Sequence, residues 1–353
     1  MNEPEVITNS RLRSFSRCKK LHYYSYVALR RSVAQVRALD LGSLLHVAWE
    51  AWWTWWMPKE AGGKRYASPL DAATSALVDA LANGVDGRSF DIDAFDAVVV
   101  SELIRGYDIR WFDETADTWD VLAVEAPFTF PIVNPDSGRR SQLYRFAGKI
   151  DAVLRRKRDG AEGFMESKST VSSLDPTSPY WAKLRMDTQV SDYFMGAEAL
   201  GYKPTFCLYS VTSKPTIRPL KATPEDKRKI VTKGDRKGQL YAGQREADET
   251  PEEFGERVRA DIASDTAGYF GQAEISRLDE DLQDRRFDVW GLTRAIHEAK
   301  TTGHHSRNAD ACQDWGRPCS YFGPCSRTAS IDDDALFRTA ETAHEELNQK
   351  DRS

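Results

Sequence analysis

The spacing of hydrophobic residues first predicts a helix over residues 42–57. Half of the ten tryptophans lie in this segment. Four of them fall at positions i, i+3, i+4 and i+7 of one helical face: Trp49, Trp52, Trp53 and Trp56. Pro58 and the Gly62–Gly63 pair predict the end of the helix. The segment is therefore expected to be a core helix.

Further along the chain the hydrophobic pattern changes from helical to extended. Runs rich in β-branched and aromatic residues predict strands over residues 121–132, 144–155 and 163–169. Turn residues separate these runs at 134–138 and at 159–160. A helix of five to six turns is predicted between Ser178 and Gly201, followed by a strand over residues 204–211. The resulting order is helix, three strands, helix, strand.

The remaining segments are mostly helical or charged. Residues 70–116 are predicted to be helical with a break at Gly84, residues 222–262 to be a linker plus an amphipathic helix, and residues 285–300 to be a helix. We divide the chain into four parts: an N-terminal segment 1–41, a core 42–215 with a helical insert at about 60–120, a helical region 216–305, and a tail 306–353 that closes back on the N-terminus.

Composition and charge exclude several classes of protein. The chain has 353 residues, of which 41% are hydrophobic and 29% are charged, so a wholly disordered chain is excluded. The first ten residues lack a hydrophobic run, and the most apolar stretch is too short to span a bilayer. A cytoplasmic location without a membrane partner is therefore expected. The net charge of −5 does not argue against nucleic-acid binding, because a local basic groove is sufficient.

One acid on the second predicted strand and an E-x-K motif on the third are the strongest candidates for chemistry. Glu166 and Lys168 are two residues apart and so share a face of their strand. Carboxylates at Asp151 and Glu166 would suit Mg²⁺ or Mn²⁺, and the lysine could orient water or stabilise charge on a phosphate. An isolated E-x-K more often forms a surface salt bridge. Asp151, however, is flanked by Ile150 and Ala152, where an unpaired acid is costly.

The order of elements together with D…E-x-K resembles the PD-(D/E)XK nuclease superfamily. More narrowly, it resembles the RecB-like exonuclease branch, which includes phage and CRISPR-associated exonucleases. The segment Gly42–His46 (GSLLH) is similar to the G-x-x-x-H segment of that branch, and Gln189–Tyr193 (QVSDY) to its Q-x-x-x-Y motif. Residues 14–24 resemble the opening that precedes the first core helix. The resemblance implies an α/β fold with a restriction-endonuclease-like αβββαβ core, a central mixed sheet flanked by helices, and helical elaborations.

The resemblance also assigns roles to the site residues. Asp151, Glu166 and His46 would bind the metal with the backbone carbonyl of Ser167, and Lys168 would position or activate water. The same resemblance implies that Gln189 and Tyr193 help to hold the lysine, the DNA backbone or both, although routine helix packing would also explain them. A lone histidine on an apolar helix is more often a core residue, but we favour a ligand. Glu125 could be an outer acid, although a solvated strand-end carboxylate is favoured.

The cysteines form the second candidate centre. Three lie in a tail rich in Gly and Pro, and one lies near the N-terminus: Cys312, Cys319, Cys325 and Cys18. This set resembles the [4Fe–4S] staple of AddB-type and CRISPR-associated nucleases, in which four thiolates would tie the chain ends together. Zinc is the competing interpretation, although zinc favours paired C-x₂-C spacings. Disulfides would conflict with a cytosolic setting, and metal-free loop thiols are the simplest interpretation. Cys207 is predicted to be a buried core thiol.

The resemblance implies a Mg²⁺- or Mn²⁺-dependent deoxyribonuclease, an exonuclease acting in DNA recombination, repair or phage DNA processing. Its partners would be DNA, as single strands or duplex ends, with recombination, helicase or annealing proteins left open. Two different functions also fit parts of the pattern: a catalytically inactive Fe–S scaffold that binds DNA, and a zinc-dependent nucleic-acid-binding module. The intact D…E-x-K motif favours the enzyme.

Overall fold

The computed structural model describes residues 3–34, 37–85, 89–314 and 317–347. Parts of the predicted N-terminal segment and of the predicted tail therefore lie outside the described residues. The N-terminal part consists of short elements: β1 Glu5–Ile7, α1 Asn9–Arg17, α2 Lys19–His22, a π-helical turn Tyr23–Val27 and β2 Arg30–Ser32. Three longer helices follow: α3 Arg37–Trp56, α4 Pro69–Asn83 and α5 Ala94–Thr118.

The predicted helix–strand order of the core is confirmed. The elements after α5 are β3 Trp119–Val133, β4 Arg140–Arg156, β5 Glu162–Thr170, α6 Pro179–Ala182, a 3₁₀ turn Lys183–Met186, α7 Thr188–Ala199 and β6 Pro204–Ser213. The single helix predicted between Ser178 and Gly201 is wrong, because Asp187 leaves the helical conformation with ψ 113°. Its Oδ1 accepts the N–H of Gln189 at 2.8 Å and so begins a new helix.

The C-terminal region contains strands that the sequence pattern did not predict, and one of them joins the central sheet. Its elements are α8 Pro251–Ser264, α9 Thr266–Tyr269, β7 Phe270–Ile275 and α10 Asp279–Thr302. In the described part of the tail the helices and strands are short: β8 Gln313–Asp314, β9 Arg317–Pro318, α11 Phe322–Ser326 and β10 Phe337–Thr339. β10 of the tail pairs antiparallel with β2 of the N-terminal part.

The central sheet is mixed. Its order is β1-β4-β5-β6-β7, and β3 pairs with the other edge of β4. β1 and β4 are parallel, as are β5 and β6, whereas β3–β4, β4–β5 and β6–β7 are antiparallel. This mixed sheet, flanked by helices, confirms the predicted α/β class and is consistent with the predicted core fold.

Two hydrophobic clusters cover the two faces of the sheet. One joins the sheet to α3, α4, α5 and α8, and Trp52 and Trp53 are almost fully buried in it, as predicted for a core helix. The other joins the sheet to α1, α7 and α10. A third, small cluster joins the N-terminal turn to the tail through Tyr24, Tyr321 and Phe337. Across the described ranges, none of the helices combines the length and the apolar run needed to cross a bilayer.

Candidate active site

The candidate site lies where β4 and β5 separate. Their pairing begins at Arg155 and ends at the pair Ala152–Met165. At the next position Asp151 does not continue the ladder, and its Oδ2 accepts the backbone N–H of Ser167 at 2.7 Å. β1 pairs with the same edge of β4 only at residues 144–146. Within the described chain, residues 147–151 therefore have no paired strand on this edge, and Asp151 borders the opening.

Glu166 and Lys168 project from β5 into this opening. The Glu166 side chain is 2% exposed and its Oε1 accepts from Lys168 Nζ. Its second oxygen, Oε2, is buried and has no hydrogen-bond partner among the described residues. A buried carboxylate oxygen without a donor is costly, so this atom requires a cation, a water or a proton.

The two acids and the lysine shift one another's pKa values. Burial raises the pKa of Glu166, and the carboxylate of Asp151 raises it further, whereas Lys168 opposes the shift. Burial also raises the pKa of Asp151, against Lys168 and the Ser167 N–H. Burial lowers the pKa of Lys168, but Glu166 and Asp151 outweigh this, so its pKa lies above the ordinary value. The lysine is therefore a stable cation beside two crowded carboxyl groups.

Glu125 and Lys149 form a second charged pair beside the first. Their side chains are in ion-pair contact, and the Glu125 side chain is only 16% exposed. Burial lowers the pKa of Lys149, but Glu125, Glu50 and Asp151 together raise it above the ordinary value. The prediction of a solvated strand-end carboxylate is wrong, because Glu125 lies in the interior of β3 and contacts a lysine of β4.

His46 lies on α3 on the side of the site that faces these two lysines. Its ring packs edge-on against Trp49, with the ring centroids 5.2 Å apart. Burial, together with Lys168 and Lys149, lowers the pKa of His46 to about 3. The imidazole is therefore neutral at physiological pH, which is the form that binds metals. The structure thus brings His46 within electrostatic reach of both lysines of the site.

Gln189 and Tyr193 lie on α7, on the opposite side of the site. Gln189 Nε2 donates to Tyr193 Oη at 2.8 Å, which is the pairing that a four-residue helical spacing allows. Burial raises the pKa of Tyr193, with Glu166 and Asp151 as the next causes, so its hydroxyl lies near the carboxylates.

Close helix–sheet packing places α7 at this position. Phe128 of β3 lies between Gly148 of β4 and Gly196 of α7. A Cβ atom at Gly148 would come within 2.5 Å of the Phe128 ring, and one at Gly196 within 2.7 Å. Any larger residue at either position would move the helix away from the sheet. Neither glycine was singled out from the sequence.

No grouping of three or more His, Cys, Asp or Glu side chains able to hold a metal ion occurs among the described residues. Asp151 and Glu166 are brought together with Lys168, and His46 and Tyr193 border them, but the predicted ligand set is not assembled around one point. The role of the Ser167 carbonyl stays a prediction, and the Ser167 hydroxyl is buried without a partner in the described chain.

The four terminal cysteines are gathered in one region. Two hydrogen bonds hold them there: the backbone N–H of Cys319 donates to Cys312 O at 2.8 Å, and the side-chain Nδ2 of Asn308 donates to Arg17 O, next to Cys18, at 2.9 Å. Burial raises the pKa of Cys325, and Cys18, Cys319 and Cys312 raise it further. The thiols are thus within electrostatic reach of one another, but in the described part of the chain they do not form a metal-ligand geometry. Cys207 is buried, as predicted.

The fold and the site define an α/β protein with a D…E-x-K acid pair at an opening of a mixed sheet. The model of the PD-(D/E)XK nuclease superfamily matches residues 6–315. The chain therefore belongs to the PD-(D/E)XK nuclease superfamily, and the predicted family is confirmed at this level. No curated protein matches the chain.

Sequence reasoning gave no role to Lys149 or to Glu50. Both contribute to the charge around the site. A lysine two residues before Asp151 on the same strand was the available signal, because a partly buried ammonium requires an acidic partner. The partner could not be identified from the sequence, since it comes from another strand.

Proposed function

We propose that the protein is a Mg²⁺- or Mn²⁺-dependent deoxyribonuclease that acts as an exonuclease. One observation carries the proposal. Glu166 has a buried oxygen without a partner in the described chain, next to Asp151 and Lys168, at an opening between two strands. The superfamily supports phosphodiester hydrolysis as the reaction.

The residues present fit a hard divalent cation. Asp151 and Glu166 would hold it through carboxylate oxygens, which Mg²⁺ and Mn²⁺ prefer. His46, neutral and beside the site, and the Ser167 carbonyl would be additional ligands. When bound, the cation would neutralise charge on the scissile phosphate and acidify a water molecule.

The side chains of the chain would perform the remaining tasks. Lys168 would orient the attacking water and stabilise negative charge as a P–O bond forms to the water and the ester P–O bond breaks. Solvent would accept the proton that the attacking water loses and would return a proton to the leaving oxygen. Because Tyr193 Oη accepts from Gln189, its own proton can be donated towards the carboxylates.

Exonuclease action and DNA as the substrate rest on the likeness of residues 42–46 and 189–193 to the RecB-like motifs. Tyr193 and His46 border the acid pair from two sides, which supports a shared role for the two segments. Recombination, repair or phage DNA processing, with helicase or annealing partners, is the setting that the likeness favours.

The proposal includes a [4Fe–4S] cluster held by Cys18, Cys312, Cys319 and Cys325. The support is that four thiols from opposite ends of the chain are gathered in one region, where burial and the other three thiols raise the pKa of Cys325. Such a cluster would be structural, since it closes nearly the whole chain into one loop. Zinc is the alternative metal for the same thiols.

The test compares carboxylate variants on end-labelled DNA, linear and circular, single- and double-stranded. Glu166→Gln and Asp151→Asn preserve shape and should each lower cleavage by at least about 10²–10³-fold. Glu162→Gln, on the same strand but paired with the exposed Arg155, is the matched control and should cut normally. EDTA should stop cleavage, and Mg²⁺ or Mn²⁺ should restore it. Normal cleavage by Glu166→Gln would contradict the proposed site, and cleavage of circular DNA would contradict exonuclease action.

The variant His46→Ala tests whether His46 is a metal ligand or a packing residue. As a ligand, its loss should raise the Mn²⁺ concentration that gives half-maximal activity. As a packing residue, its loss should lower the melting temperature and leave the metal dependence unchanged.

A further inference from the structure

A groove of about 430 Å³ is lined by the candidate catalytic lysine but by neither of the two acids. Lys168 and Thr170 line it from β5, and Lys183 and Met186 line it from the segment before α7. Arg13 of α1 borders it from a third side. The groove is therefore continuous with the proposed site but is formed largely by residues that the D…E-x-K motif does not include.

Cations from three different elements line this groove. Arg13 and Lys183 are both exposed, and neither forms an ion pair with any described residue. Lys183 Nζ lies 4.1 Å from the centroid of the Tyr180 ring, which holds the ammonium at the groove wall. The acid in the lining, Asp187, uses one oxygen to cap α7. The groove thus presents unneutralised positive charge in a chain whose net charge is −5.

The dimensions of the groove and the few apolar side chains in its lining restrict the ligand. A volume of about 430 Å³ lies near the lower end of the range of small-ligand pockets, so the groove fits a nucleotide unit and not a duplex. Tyr180 and Tyr209 are only 8% and 3% exposed, so their rings cannot stack on a base. Met186 is 84% exposed at the rim and offers an adaptable apolar contact.

We propose that this groove binds the backbone of an unpaired strand, next to the bond that is cut. Arg13 and Lys183 contact the neighbouring phosphate, and Met186 contacts the base of that nucleotide. The substrate class is therefore a single-stranded nucleic-acid segment, or a duplex end that has been opened. This inference rests on the proposed function, because it extends the path of the strand from Lys168.

The test measures binding of a short single-stranded DNA oligonucleotide in the Glu166→Gln background, where cleavage is removed. Arg13→Ala and Lys183→Ala should each raise Kd about tenfold and reduce the slope of log K against log salt by about 0.7. Arg185→Ala is the matched control, since Arg185 is exposed in the same 3₁₀ turn but does not line the groove. The control should bind like the parent, and Met186→Ala should weaken binding without changing the salt slope.

A neutral methylphosphonate at the linkage next to the scissile bond identifies the contacted phosphate. It should weaken binding by the parent, and it should have no further effect on the Arg13→Ala/Lys183→Ala double variant. A blunt duplex should bind more weakly than the single strand, and this preference should disappear in the double variant.

The outcomes separate this proposal from the proposed function. If the wild type cuts DNA but the groove variants bind like Arg185→Ala, the groove proposal is wrong and the nuclease assignment stands. If the groove variants lose binding but the wild type does not cut, the strand-binding site is supported and the nuclease assignment is wrong. If the wild type neither binds nor cuts DNA, both are overturned.

Discussion

Glu125 of β3 occupies the register position opposite Asp151 of β4. The flanking pairs are Val124–Ala152 and Ala126–Ile150, and Glu125 itself has φ 50°, a left-handed conformation that is unusual inside a strand. At this point the side chains of β4 also stop alternating regularly between the two faces of the sheet. Ile150 packs in the cluster that contains α7, whereas Ala152 packs in the cluster that contains α3, although regular alternation would place both on one face. The strand pair is therefore irregular at the point where the candidate site opens.

The left-handed backbone at Glu125 predicts that a glycine variant at this position is more stable than an alanine variant. Glu125→Gly and Glu125→Ala both remove the pair with Lys149, but only glycine adopts φ 50° without strain. We therefore expect the glycine variant to be more stable than the alanine variant by about 1 kcal/mol in urea unfolding. At the neighbouring Ala126, replacement by glycine should instead destabilise the protein. A less stable glycine variant at 125 would show that this backbone stores no strain.

A buried ion pair anchors α7, the helix that carries Tyr193. Arg285 of α10 donates to both carboxylate oxygens of Asp192, at 2.8 and 2.9 Å, and both side chains are almost fully buried. Arg285→Met should destabilise the protein by about 3–5 kcal/mol, because Asp192 is left without its cation. Arg286→Met breaks only an exposed contact with Glu198 and should cost less than about 1 kcal/mol.

The comparison is made by chemical unfolding of both arginine variants and of Asp192→Leu/Arg285→Met. The double variant should recover most of the stability lost in Arg285→Met, since it removes both charges. Equal losses in the Arg285 and Arg286 variants would mean that the buried pair does not anchor the helix.

The proposed cluster of the four terminal cysteines predicts how much metal each single cysteine variant binds. Replacing Cys18, Cys312, Cys319 or Cys325 with serine should remove iron, the brown colour and protease resistance together, because each removes a thiolate ligand of the proposed cluster. Cys207→Ala should keep all three, since Cys207 is fully buried in the sheet. The measurement is iron and zinc analysis of anaerobic preparations. Full iron content in the Cys18 variant would contradict the four-ligand proposal, and zinc without iron would select the alternative metal.

The buried histidine of α2 predicts a loss of stability in acid. His22 is fully buried, and its Nε2 accepts a hydrogen bond from Arg11 Nε at 3.2 Å. Burial, followed by Arg11, lowers the pKa of His22 to about 3. Between about pH 6.5 and pH 3 the unfolded chain binds the proton and the folded chain does not. The contribution of His22 to stability is therefore complete above pH 6.5 and is lost progressively as the pH falls towards 3.

At pH 5 this loss should be on the order of 2 kcal/mol relative to pH 7. His22→Gln should show a shallower decline in melting temperature over this range, whereas the exposed His297→Gln should follow the wild type. Parallel curves for wild type and His22→Gln would show that this histidine does not control the acid sensitivity.

The sequence by itself determined the elements that depend on local spacing. The tryptophan face of α3, the three consecutive strands and the Gln189–Tyr193 pair all follow from periods of 3.6 and 2, and the structure confirms these elements. The D…E-x-K motif also placed Asp151, Glu166 and Lys168 on adjacent strands, because hairpin-connected strands normally pair. In these cases the residues that interact are close in sequence or are joined by a short turn.

Only the tertiary structure decided how the strands separate and which charges surround the acids. The left-handed Glu125, the change of faces at Asp151 and the pair formed with Lys149 depend on contacts between strands and helices that no local pattern encodes. The same is true of β7, a short strand whose pairing partner β6 lies more than fifty residues earlier in the chain. Such features are set by packing across the whole domain, because a short segment adopts whichever conformation buries its side chains and completes its hydrogen bonds in the assembled fold.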